Sequence, residues 1–180
     1  VIGEFDPSNS QKTYQHKGFK ISPSTLWVDN FLKDLRDLDK ESRKLMFWDQ
    51  TDGELFFKLK SFTTKGFSFS KNNNKMYWLF NKPQDFNNAW TLDVFNPPNS
   101  GINGIEFIRA VPTYFYLVDK FREIFQCKKL RAFVVNDNVQ SLRMCHTLVK
   151  KGYLEVECEL KNEINILGKD RDLTLFLRSN

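Results

Sequence analysis

The chain has 180 residues, with 27 Lys+Arg against 22 Asp+Glu for a formal charge of +5, 41% hydrophobic residues and 27% charged ones. This mix fits one soluble globular domain, which at that length buries roughly 70% of its unfolded surface without cross-links, and it excludes disorder, collagen, coiled coil and a disulfide scaffold. With 18 Phe against 8 Gly, the core is expected to be aromatic-rich and glycine-rich nucleotide loops scarce.

Residues 1–17 are polar, with Pro7-Ser8-Asn9-Ser10, and read as an arm ahead of a domain over 18–180. Phe19-Lys20-Ile21-Ser22 alternates as a short strand, and Pro23-Ser24-Thr25 offers cap residues before a helical face of Val28, Phe31, Leu32 and Leu35. Asp39 caps a second helix through Leu45-Met46-Phe47. Thr51-Asp52-Gly53-Glu54 has the capping-box pattern before a third apolar face of Leu55, Phe56, Leu59 and Phe62.

The apolar period then changes from 3.6 to 2. Gly66–Ser70, a polar turn Lys71–Lys75 and Met76–Phe80 form a hairpin, and a loop with Pro83 and paired Asn leads to a strand over Ala89–Phe95 that Pro97-Pro98 ends. The loop Asn99–Gly104 opens a helical stretch to about Gln126, within which Pro112 is expected to kink the helix or mark a restart. Leu130–Val135 is a strand, and Asn136-Asp137-Asn138 turns and caps a helix from Val139 to about Lys151, with Leu142, Cys145 and Val149 on its packing face. Gly152 stops that helix, and Tyr153–Leu160 with Leu173–Leu177 close the chain as a hairpin around Gly168.

Strand 89–95, helix 104–126 and strand 130–135 make a βαβ unit with a right-handed crossover. The expected fold class is α/β (α+β): a mixed, mainly antiparallel sheet with a central βαβ unit and helices on both faces. Three Cys without CxxC spacing and only two His argue for a reducing, cytoplasmic compartment and against a structural zinc or His-rich metal site. No apolar run reaches the roughly 18 residues of a membrane span, and no signal-peptide pattern is seen. The chain opens on Val1, so its native start is expected to be missing or processed.

In a βαβ unit a ligand binds beyond the C-terminal ends of the parallel strands, where the crossover helix begins. The first amides of that helix lack partners and favour an anion such as a pyrophosphate. Gly101-Ile102-Asn103-Gly104 occupies that place, either as a phosphate cradle or as a plain connecting loop.

The strand at 130–135, the N-x-x-S of Asn138–Ser141, the helix and Gly152-Tyr153 resemble the C-terminal half of the GNAT superfamily of acyl-CoA-dependent N-acyltransferases, where N-x-x-A/S, a helix and G-F recur. The element order is also that fold's order, so the resemblance covers roughly residues 17–180. Leu35–Glu41, Trp90-Thr91-Leu92 and Asn138–Arg143 are similar to short GNAT-like proteins of tailed phages, which implies virion association as one setting.

The resemblance implies an acetyl-CoA cofactor. Strand 89–95 would splay from strand 130–135 and offer backbone at Leu92, Val94 and Phe95 to the pantetheine arm. Gly101, Asn103, Gly104 and Ile105 would supply amides to the pyrophosphate, with Asn138 and Ser141 beside the cofactor. Cys145 stands where active members often carry a Tyr that protonates the leaving thiolate; its other reading is a packing residue. Tyr153 and Tyr116 are fallback acids; the sequence assigns no base, and Asp93 and Glu106 are only close to the site in sequence. The chain departs from the family at its pyrophosphate loop, usually Q/R-x-x-G-x-G/A, where Asn96 or Asn99 stands for the Arg or Gln. The interval from Asn138 to Gly152 is also three residues longer than usual.

Two functions follow. One is an N-acyltransferase passing acetyl to an amine, on a small molecule or a protein. The other is a silent GNAT-like subunit of a larger assembly that binds protein partners. A phosphate or nucleic-acid surface of Lys128, Lys129, Arg131, Lys150 and Lys151 is the weakest reading, and no membrane partner is expected.

Overall fold

A computed structural model describes residues 5–48, 50–82 and 89–179; the loop read at Pro83 with its paired Asn lies outside them. The strands are β1 (Tyr14–His16), β2 (Phe19–Pro23), β3 (Thr64–Lys71), β4 (Asn74–Asn81), β5 (Ala89–Phe95), β6 (Lys129–Val135), β7 (Glu155–Ile166) and β8 (Lys169–Arg178). The helices are α1 (Val28–Arg36), α2 (Lys40–Phe47), α3 (Asp52–Lys60), α4 (Gly104–Ile124) and α5 (Val139–Lys150). The strands form one sheet in the order β1-β2-β3-β4-β5-β6-β8-β7, antiparallel except for the parallel β5–β6 pair. This is the mixed, mainly antiparallel sheet with a central βαβ unit that the periodicity predicts.

The turns explain the pairing. Asn72 and Asn73 join β3 to β4 with φ of 50° and 68°, and Leu167-Gly168 joins β7 to β8 with 54° and 75°. Two successive left-handed residues twist a two-residue turn in the sense of the flanking strands. Lys17 and Gly18, at 48° and 81°, do the same between β1 and β2. The N-terminal segment is therefore more than a polar arm. It adds β1 to the sheet and buries Phe5 edge-on against Tyr14 and Phe67, with ring centroids 5.0 and 5.7 Å apart.

Alternation along the strands sends side chains to two cores. Phe67, Phe69, Met76, Trp78, Phe80 and Trp90 pack with α4 and with Leu148 of α5. Tyr77, Leu79 and Phe95 point the other way into α1, α2 and α3, where Phe31, Leu35 and Leu55 are fully buried. Both cores are dominated by aromatic rings, as the Phe count predicts.

The Asp39 cap and the Thr51–Glu54 capping box form as read. The entry to α1 differs: Ser24–Leu26 is a 3-10 turn and Trp27 takes the cap position without a side-chain cap bond. The Trp27 indole N–H instead donates to the Ser22 carbonyl at 2.7 Å, which ties the turn to β2. Phe62 does not join the α3 face, because the helix ends at Lys60 and leaves that ring 95% exposed. α4 runs unbroken through Pro112, so no restart occurs. The proline lies on the exposed face, where water can reach the carbonyl that its missing N–H leaves unpaired.

Candidate functional site

β5 and β6 pair at only three positions, Ala89–Lys129, Trp90–Leu130 and Thr91–Arg131. Beyond them each strand keeps its outer partner: β5 stays on β4 as far as Phe95, and β6 stays on β8 as far as Val135. Residues 92–95 and 132–135 therefore flank an open wedge with no ladder between them, which is the splay that the resemblance implies. Leu92 and Val94 face α4 and α5 across this wedge, and Asp93 faces the α1–α3 side.

A cavity of about 120 Å³ passes through the wedge. Leu92, Val94, Phe107 and Met144 bound it on one side of the sheet, and Met46, Phe47, Asp93 and Phe133 on the other. It adjoins a wider cavity of about 740 Å³ at the C-terminal ends of the two strands, and the two share residues of α2, β5, α4 and α5, among them Met46, Val94, Phe107 and Met144. The starts of α4 and α5, at Gly101–Gly104 and Asp137–Ser141, both border the wider cavity. Asp37 and Asp39 form its opposite rim, and its described lining holds no Lys or Arg.

Asn96 builds the loop before α4. Its Oδ1 accepts from the Ile102 amide at 2.8 Å and its Nδ2 donates to the Ile102 carbonyl at 3.0 Å. Gly101 is squeezed beneath this clamp: a Cβ there would stand 2.5 Å from the Pro97 carbonyl oxygen. Its lack of a side chain thus serves the loop's own packing. Gly104 is different, since nothing lies within 4 Å of the place its Cβ would take. Asn103 caps α4 by accepting from the Glu106 amide at 2.9 Å. The amides of Gly104 and Ile105 precede the first intrahelical bond and meet no acceptor among the described residues. Asn138 caps α5 in the same way, accepting from the Ser141 amide at 3.3 Å.

The candidate acids separate. On α5 the residues facing the cavity are Ser141, Met144, Cys145 and Leu148; of the Leu142–Cys145–Val149 face that spacing predicts, Cys145 is among them and Leu142 and Val149 are not. Cys145 lines the wedge cavity, and burial pushes its thiol pKa up to about 12. Tyr153 lines neither cavity; its ring stacks on Phe115 at 4.7 Å. Tyr116 also lies away from them, exposed and stacked with His16 at 6.4 Å. Phe95 brings only its backbone, because its side chain is buried with Tyr77 and Phe31.

The candidate bases separate as well. Asp93 lines the cavity, accepts from Asn81 Nδ2 at 2.9 Å and faces Lys58 Nζ at 3.5 Å. Burial raises its pKa, against the opposing pull of the Lys58 charge and the Asn81 bond. Glu106 turns inward instead, and its Oε2 is buried without a partner. Arg131 of the basic group is held bidentately by Glu157, at 2.5 and 2.6 Å. Among the described residues no group of three His, Cys, Asp or Glu could hold a metal ion.

Sequence reasoning missed Met46, Phe107 and Met144. Leu45-Met46-Phe47 reads only as the end of an Asp39-capped helix, and nothing local says that α2 borders the wedge.

No protein-family model matches this sequence, and no curated protein matches it. Solved structures do. A probable GNAT-family acetyltransferase from Chromobacterium violaceum superposes with a TM-score of 0.65 at 10% identity, over 96% of this chain and 93% of that one. The spermidine N-acetyltransferase of Vibrio cholerae, solved with CoA and spermine, gives 0.66 at 12% identity over 90% and 95%. The ribosomal-protein-S5-alanine acetyltransferase of Vibrio fischeri gives 0.64 at 15% identity over 94% and 97%. At such identities the likeness is one of fold: this chain has the fold of the GNAT acetyltransferases.

Proposed function

We propose that this protein is an acyl-CoA-dependent N-acyltransferase that acts on an amine. The observation that carries the reading is the parting of β5 from β6 after Thr91 and Arg131, into a cavity that opens beneath the starts of two helices. The residues present fit the donor. Free amides at Gly104 and Ile105, with the partial positive charge of the α4 start, suit a pyrophosphate. The unpaired edge of β5 from Leu92 to Phe95 suits an amide-bearing arm, and the apolar wedge suits its inner end.

When bound, the thioester supplies an acyl carbon to the amine nitrogen: a C–N bond forms, the C–S bond breaks, its electron pair leaves on sulfur and an amine proton passes to a base. Asp93, on the face of the wedge opposite α4 and α5, is the base of this reading, anchored by Asn81 and Lys58. Cys145 lies on the other face, where a leaving sulfur would sit. With its thiol at about 12, giving a proton to a thiolate of ordinary pKa near 8.5 is uphill by about 5 kcal/mol. Cys145 therefore acts as a neutral hydrogen-bond donor and packing group, and solvent protonates the leaving thiolate.

Asp37 and Asp39 on the rim of the wider cavity favour a cationic acceptor, whereas Asp137 is already paired with Arg171. Spermine in one structural neighbour and a ribosomal protein's alanine in another bracket the choice between a small amine and a protein N-terminus. No observation above favours the silent-subunit alternative.

Thermal melting with CoA and with acetyl-CoA tests the reading. Saturation at 100 times the dissociation constant adds about 2.7 kcal/mol, or roughly 5–10 °C for a chain of this size. Thiol release with an amine panel then tests transfer. No shift at millimolar CoA would refute the proposal.

A further inference from the structure

Resting on the acyltransferase reading, we infer that the donor carries an apolar acyl chain longer than acetyl, of the butanoyl-to-hexanoyl class. The wedge closes at the Thr91–Arg131 pair, yet the cavity continues past that vertex. Leu130, the residue before Arg131, lines it. So do Phe115 and Val118, which stand 11 and 14 residues into α4 from Gly104. At about 1.5 Å of rise per residue they lie roughly 16–21 Å from the helix start. Leu148, near the end of α5, and Leu154, beyond it, complete the far wall. An arm that enters at the α4 start and pairs with the β5 edge delivers its sulfur to the wedge, so the space beyond the vertex falls to the acyl group.

The chemistry of that space narrows the class. Its far walls are Phe, Val and Leu side chains. The two cations that touch the cavity are both engaged: Arg131 by Glu157, and Arg178 by Asp119 at 2.8 and 3.1 Å. An acyl group ending in a carboxylate would find no free cation there, whereas a hydrocarbon chain would find only apolar contacts.

Titration calorimetry of the full chain with CoA, acetyl-CoA, butanoyl-CoA and hexanoyl-CoA tests the inference. A fully buried methylene strengthens binding about fourfold, so butanoyl-CoA is expected to bind roughly 15-fold tighter than acetyl-CoA. A gain of at least fivefold supports the inference. Binding of CoA and acetyl-CoA with a smaller gain, or none, overturns it and leaves the acyltransferase reading standing. Failure of all four to bind overturns both. Leu148→Phe, which fills the far end, should compress the butanoyl-to-acetyl ratio toward one; an unchanged ratio would overturn the inference.

Discussion

Replacing Gly101 by Ala asks whether the loop before α4 is set by close packing. The added Cβ would stand 2.5 Å from the Pro97 carbonyl oxygen and 2.7 Å from Asn96 Oδ1, where ordinary contact begins at 3.4 Å. The nearer atom is backbone and cannot swing aside, so the loop must open by about 0.9 Å. That movement pulls on both hydrogen bonds of the Asn96 clamp, at 2.8 and 3.0 Å. Each bond is worth about 1 kcal/mol net, and more if its partner stays buried and unpaired, so the loss is about 2–3 kcal/mol. Near 2–4 °C per kcal/mol at this chain length, the melting temperature falls by roughly 4–12 °C. Gly104→Ala is the control. Its Cβ meets nothing within 4 Å, and Ala is the better helix former, so stability holds or rises by up to about 1 kcal/mol. Parallel thermal and urea melts read both variants, and a CoA titration reads whether the displaced amides of Gly104 and Ile105 bind less well in Gly101→Ala. Melting of Gly101→Ala within about 1 °C of the parent would refute the packing argument.

Pro112→Ala restores a donor on the exposed face of α4 and should stabilise the chain by about 1–3 kcal/mol in a urea melt; a loss would mean that the ring supports the helix. Cys145, with its thiol at about 12, should react with iodoacetamide at pH 8.5 about a thousandfold more slowly than a small free thiol; comparable rates by mass spectrometry would show an ionised, open site. The Arg131 bonds lower the Glu157 pKa from 4.5, so the stability they give is present above that value and is lost as pH falls through the lower folded value. Glu157→Gln should therefore melt below the parent at pH 7, with the gap narrowing below pH 4.5; a constant gap would refute the linkage.

Local signals were legible in this sequence. The Asp39 cap, the Thr51–Glu54 capping box, the Asn-rich turn at 72–73, the Gly152 stop and the strand-breaking Pro97-Pro98 each act within a few residues, and each appears where the pattern places it. The βαβ unit followed from the order of periods. What stayed hidden depends on distant partners. Phe5 is an isolated apolar ring followed by a polar run, and its burial needs Tyr14 and Phe67 to be folded beside it. Three residues of β1 carry no alternation to read. Asn96 reads as a missing Arg or Gln until Ile102 is seen folded back onto it. The family resemblance implies Cys145 as an acid with Tyr153 as a fallback, but only the geometry of the sheet decides which one meets the wedge.

The seam between β5 and β6 has a mechanical consequence. Among the described residues, three ladder pairs join one antiparallel ribbon, β1 to β5, to the other, β6 with β8 and β7. α4 straddles the join like a strut: its Phe121 lies against Phe80 and Trp90 of the first ribbon, and its Asp119 accepts from Arg178 of the second. Each ribbon keeps its own ladder whatever the join does, so the aperture can breathe by hinging without unravelling either half. Force applied across the molecule would yield there first.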